Sequence, residues 1–170
     1  MKKLFIIFLF LSIKLFPLDW QEFYSIPGKC LISFPNKPYH RAQILPIYEA
    51  NAYMQYDVYL SEIDEENSVC MMVVAKYPTA IDPKKEEVSL ESFLNGMIGK
   101  NKNRKVIEAN FCDFKNCNAL NFTVEKENRN FQGKVFIFND KLYLIAIEHN
   151  SDIEMEDNLE EYINSFSFEE

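Results

Sequence analysis

Glycine is scarce in this chain: four in 170 residues, with one tryptophan and two histidines. So few glycines argue against collagen-like repeats, flexible Gly-rich linkers and the glycine loops that cradle phosphate. No C-x-x-C pair occurs, which disfavours a structural zinc site. Beyond residue 18 there is no long apolar run, no internal repeat and no low-complexity stretch. Basic charge is also in deficit, with 18 Lys and Arg against 26 Asp and Glu. A surface of that sign repels nucleic acid and anionic lipid, and it leaves cationic partners, metal ions or simple solubility as readings.

Hydrophobic and aromatic material is plentiful. Hydrophobic residues make up 48% of the chain and aromatic residues 15%, with 15 Phe and 9 Tyr. That supplies a core for one domain over residues 19–170 and excludes disorder. Residues 1–18 read differently. Met1-Lys2-Lys3 is a basic start, Leu4 to Ile13 is apolar apart from Ser12, and Lys14 precedes Leu15-Phe16-Pro17-Leu18. This is the grammar of a secretory signal, too short to match the ~20 residues of a membrane span. No small-x-small pattern precedes Trp20, so an uncleaved anchor stays open beside a cleaved signal. The first cysteine, Cys30, lies too far along for a lipoprotein. Removal of residues 1–18 takes three lysines and no acid, so the net charge of −8 becomes more negative by three.

The periodicity predicts an α+β fold, an antiparallel sheet covered by helices. Short strands are expected at Glu22 to Ile26, Cys30 to Phe34 and Gln43 to Tyr48, the last interrupted by Pro46. Ala52 to Leu60 alternates. Ala52, Met54, Tyr56, Val58 and Leu60 form its apolar face, and Tyr53, Gln55, Asp57 and Tyr59 the other. Val69 to Ala75 is almost wholly apolar, as a central strand covered on both faces would be. Ser89 reads as the N-cap of a helix over Leu90 to Ile98 with Gly99 as its stop. Strands follow at Lys105 to Phe111, Ala119 to Lys126, Gln132 to Phe138 and Lys141 to Glu148, then a helix over Glu156 to Asn164.

Two segments carry a resemblance. Gly28-Lys29-Cys30-Leu31-Ile32-Ser33-Phe34-Pro35-Asn36-Lys37-Pro38 looks like the opening of many small exported bacterial proteins, and Tyr162-Ile163-Asn164-Ser165-Phe166-Ser167-Phe168 looks like their ending. Tyr143-Leu144-Ile145 fits the strand before it. The layout between is similar to the PsbP-like α/β/α sandwich, shared by extrinsic photosystem proteins and a Ran-binding relative. The resemblance implies a fold and an assembly or binding role without catalysis. Its motifs are packing and turn residues, so it implies no site residue and no cofactor.

Candidate chemistry is sparse. His40 follows Tyr39 in a proline-rich segment and His149 ends a strand, so a metal pair requires the fold to bring them together. Ser25, Ser33 and Ser68 lack the glycines of a nucleophile elbow. Cys30 and Cys70 sit in strand-like runs, where a cysteine acts as a small hydrophobe, although a bridge between them is open. Cys112 and Cys117 flank Asp113-Phe114-Lys115-Asn116, which reads as a hairpin loop; a disulfide there requires Cα atoms within ~4.4–6.8 Å. The acids from Asp152 to Glu161 lack the spacing of a calcium loop and suit a helix N-terminus instead. Asp64-Glu65-Glu66-Asn67 reads as a solvated acidic turn. Tyr48, Tyr53, Tyr56, Tyr59 and Tyr77 make a tyrosine-rich region, and Tyr53 with Tyr59 is the expected binding surface unless another layer covers them.

The expectation is an exported accessory that binds an unidentified protein, with no cofactor, no nucleic acid, and no membrane span once the signal is cleaved. The alternatives are a carrier of a small apolar ligand held between sheet and helix, a hydrolase or metal-dependent enzyme, or a protein tethered by residues 4–18.

Overall fold

The computed structural model describes residues 19–47, 51–63, 68–99 and 103–169. The expectations for residues 1–18, for Tyr48 and for the turn at 64–67 lie outside the described residues. Among the described residues ten strands and two α-helices follow one another as β1 (Gln21–Ser25), β2 (Cys30–Phe34), β3 (Tyr39–Ile47), β4 (Ala52–Glu62), β5 (Val69–Lys76), α1 (Glu86–Gly99), β6 (Arg104–Phe114), β7 (Cys117–Lys126), β8 (Arg129–Phe138), β9 (Lys141–Asn150), α2 (Glu156–Asn164) and β10 (Ser167–Phe168). A seven-stranded sheet runs β3-β4-β5-β9-β8-β7-β6, every pair antiparallel, and a small sheet runs β1-β2-β10. The expected α+β class, an antiparallel sheet between covering layers, is what the chain adopts.

The period of two along each strand sorts the side chains onto two faces. The first face carries Tyr59, Cys70, Met72, Phe136, Tyr143, Ile145 and Ile147. It lies under α2 and the small sheet, which add Ile32, Phe34 and Tyr162, with Phe166 from the connection between α2 and β10. The second face carries Val73, Leu120, Phe122, Val135, Leu142 and Leu144 beneath Leu90 and Leu94 of α1. β5, expected to be covered on both faces, contributes Met72 and Val74 to the first and Val73 and Ala75 to the second.

Three expectations need correction. β3 spans nine residues straight through Pro46, because it is an edge strand and proline removes no donor the sheet requires there. α1 begins at Glu86 rather than beyond Ser89. A 3₁₀ turn over Pro83–Lys85 precedes it, and the Asp82 carboxylate caps that turn at the Lys84 N–H, 3.0 Å away. The hairpin loop between β6 and β7 is only Lys115-Asn116, both residues at positive φ, the signature of the tight turn that matches strand twist.

Candidate binding groove

The alternation in β4 is real, but its burial is inverted. The mixed set Asp57, Tyr59 and Ser61 is buried, whereas the apolar set Met54, Tyr56, Val58 and Leu60 is only half-buried. Coverage explains the inversion. β1 and β2 lie over the first face of β4, so the Phe23 ring sits 5.2 Å from that of Tyr59 and the Ser25 hydroxyl donates to the Tyr59 oxygen at 3.1 Å. On the second face α1 packs against β6, β7 and β8. Tyr53 and Tyr59 therefore do not form one binding surface: Tyr53 is 69% exposed, and Tyr59 is 2% exposed inside the core.

His40 lies on β3, not in a loop, directly across from Tyr59. Its ring stacks on Tyr59 with centroids 4.4 Å apart, and its Nε2–H donates to Asp57 Oδ1 at 2.9 Å. Gln55 donates to the other Asp57 oxygen at 2.9 Å. A buried carboxylate is costly unless partnered, and both of its oxygens are engaged. A His–Asp pair orients a base in a nucleophilic triad, but the nearby Ser25 hydroxyl points at Tyr59 instead. The cluster pins an edge strand to its neighbour.

His149 is buried on β9 and donates from Nδ1 to the Asn150 carbonyl at 2.7 Å. Three strand spacings separate β9 from β3, roughly 14 Å, so the two histidines cannot share a metal. The described residues hold no group of three or more His, Cys, Asp or Glu side chains placed for a metal.

The expected Cys112–Cys117 disulfide is absent: all four cysteines are free. Cys112 lies opposite Ala119 and Cys117 opposite Phe114, so the two are diagonal neighbours on one face. Diagonal pairs stand ~7–8 Å apart, beyond the reach of a bridge. The Lys134 ammonium instead donates to Cys112 Sγ at 3.4 Å and to Asn121 Oδ1 at 2.6 Å. Cys30 and Cys70 are fully buried, and burial pushes the Cys30 thiol up to about 12 and raises Cys70 further, so both stay protonated. Of the acidic run, Glu156 and Asp157 occupy the first turn of α2, where the helix dipole favours them.

On the second face a groove of about 640 Å³ stays accessible beside α1. Tyr56, Tyr77, Phe93 and Met97 give it an apolar wall. Burial raises both tyrosine phenols, so they remain neutral donors. Ser89, Ser92 and Gly96 keep the facing stripe of α1 low, and a methyl group built on Gly96 would meet nothing within 4 Å. The charged lining residues are Lys85 and Arg104, and no carboxylate joins them. One Arg104 guanidinium nitrogen donates to the Met97 carbonyl at 2.8 Å, which satisfies an orphan acceptor at the end of α1 and fixes the arginine there.

The groove was not read from the sequence, though one signal for it exists. Lys84, Lys85, Lys100, Lys102, Arg104 and Lys105 are a third of the chain's 18 basic residues, and they fall in two short runs that bracket α1.

No protein-family model matches this chain, and no curated protein matches it. Among solved structures, the solution structure of cyanobacterial PsbP (CyanoP) from Synechocystis sp. PCC 6803 is similar over 89% of this chain and 93% of its own, with a TM-score of 0.61 and 12% sequence identity. The chain therefore has the PsbP-like fold that its opening and closing motifs resemble.

Proposed function

We propose that this protein is a non-catalytic, exported accessory of the cell envelope that works by binding a protein partner. One contrast carries the reading. Asp57 and His40 are tied to each other and Cys30, Cys70 and His149 are buried, whereas the groove beside α1 is open. The likeness to PsbP supports an extrinsic accessory as the kind of protein this fold serves. Export rests on the basic start and apolar run of residues 1–18. No helix among the described residues is long and apolar enough to cross a membrane.

The test is fractionation of the native host followed by N-terminal sequencing and affinity recovery from the envelope. A mature start near Asp19 and a stoichiometric partner are the expected results. An intact Met1 in the cytosol would remove the export half of the reading, and robust substrate turnover by the purified chain would remove the other half.

A second reading, carriage of a small apolar ligand between sheet and helix, is favoured by the groove volume alone, which falls in the range of ligand sites. Native mass spectrometry of the freshly purified protein separates the two. A retained small molecule supports the carrier, and a bare mass supports the accessory.

A further inference from the structure

We propose that the groove beside α1 and the open sheet next to it receive a segment of the partner whose apolar side chains are bracketed by carboxylates. The inference rests on the accessory reading above and names the chemistry of what is bound.

Shape is the first ground. Among the described residues no helix or strand packs closely over the second face of β3, β4 and β5, and Met54, Tyr56, Val58, Leu60, Val69 and Met71 lie half-buried there. On the edge strand Leu45 at 43% and Tyr39 at 66% exposure lie on the same face, with Arg41 and Gln43 between them opposite Val58 and Tyr56. A small ligand is held by burying 70–90% of its surface, which a floor open along one side does not do. A longer segment that adds its own covering layer does.

Charge is the second ground. In a chain of net charge −8, the groove is lined by two cations and no anion, and among the described residues neither Lys85 nor Arg104 has a carboxylate within 4.0 Å. They stand at opposite ends of α1. Arg104 is held at Met97, twelve residues from Lys85, which makes the separation about 18 Å along the helix. That distance corresponds to about six residues of extended chain or three turns of helix. Arginine with one nitrogen already held keeps its remaining donors in a fixed fork suited to a carboxylate. A basic partner segment would meet like charge at both ends, and nucleic acid or an anionic bilayer would meet the acidic surface beyond them.

The test uses the full chain in its native host, with a benzophenone amino acid replacing Ser92 on the exposed lip of α1. Two further variants are recovered in parallel, Gly96→Trp to fill the groove and Lys85→Glu to reverse one end. Both keep the core intact, and thermal melts at or near the parent value verify that each is folded. The expected result is a photocrosslink to a segment carrying apolar residues flanked by Asp or Glu. Gly96→Trp should lower recovery of that partner by at least ~10-fold, as loss of a central contact does, and Lys85→Glu by ~3-fold or more at low salt. A partner recovered equally by all variants, or a crosslinked segment without acids, overturns the inference and leaves the accessory reading standing. If the parent chain recovers no partner, or its groove carries a fatty acid or other small amphiphile in native mass spectrometry, both fall.

Discussion

The two faces of the large sheet are built from the same strands and solve burial in opposite ways. The first is closed and aromatic. Phe136 stacks on Tyr143 at 5.2 Å and meets the edges of Phe166 and Phe168, while the Tyr143 hydroxyl donates to the Gly28 carbonyl at 2.8 Å. Gly28 leaves no room for a side chain, since a Cβ there would fall 2.7 Å from the Cys30 sulfur and 2.9 Å from the Ser25 hydroxyl. The buried part of the second face is aliphatic apart from Phe122 and is closed by Leu90 and Leu94 over β6 to β8, then stops. Beyond that boundary the apolar residues of β4 continue half-buried, with no lid among the described residues. One face spends its hydrophobic surface on stability; the other leaves part of it unspent, where a binding surface would have it.

The sharpest way to break this contrast is to cut into each face. Phe136→Ala removes the ring that touches Phe114, Tyr143, Phe166 and Phe168, and is expected to cost about 3–5 kcal/mol in urea unfolding. Val58→Ala on the open half should cost less than about 1 kcal/mol, because its removed methyls were already partly wet. Equal losses would mean that the open half contributes to the core as much as the closed one. Leu90→Ala, at the buried edge of the α1 contact, is expected between them at about 2–4 kcal/mol. A loss well below that would show that α1 is not anchored through this residue.

The closed face is also where alkaline pH should act. The folded pKa of Cys30 is about 12, above the ~8.5 of an exposed thiol, and burial is the largest cause. A group raised in this way contributes stability that is complete below the unfolded value and is lost as pH climbs toward the folded one. Unfolding free energy should therefore hold to about pH 8.5 and fall by about 2 kcal/mol by pH 10 on this thiol's account. In Cys30→Ala that part of the slope should vanish; an unchanged slope would assign the loss to the buried Cys70 thiol and the buried tyrosines instead, all of which burial raises in the same direction.

Much of the fold was legible because its signals are local. The strands expected at Ala119 to Lys126 and Lys141 to Glu148 and the apolar run of β5 each reflect a local period or composition. The site was less legible because coverage is not local. Nothing within Ala52 to Leu60 says that β1 and β2, some thirty residues earlier, lie over Asp57 and Tyr59, or that α1 halts short of Met54 and Val58. Binary patterning marked the apolar side of β4 as the inside, and tertiary packing made it the half-open side. The cysteine expectation failed for a similar reason. A separation of five positions looks bridgeable, but a two-residue turn sets the register that places the thiols diagonally.

The smallest effect is the most informative about the open side. Gly96 lies in the interior of α1, where glycine costs about 0.5–1 kcal/mol relative to alanine through the freedom of its unfolded backbone. Its φ is not positive, and a Cβ there would meet no atom within 4 Å, so neither strain nor a clash opposes the change. Gly96→Ala should accordingly raise stability by about 0.5–1 kcal/mol, measured by urea or thermal unfolding. An alanine that stabilises the fold but weakens partner recovery would separate the two demands at this position, the helix favouring a side chain and the groove favouring none. An alanine that destabilises would mean that another layer already occupies the space beside α1, and the contrast between a closed face and an open one would fail at its centre.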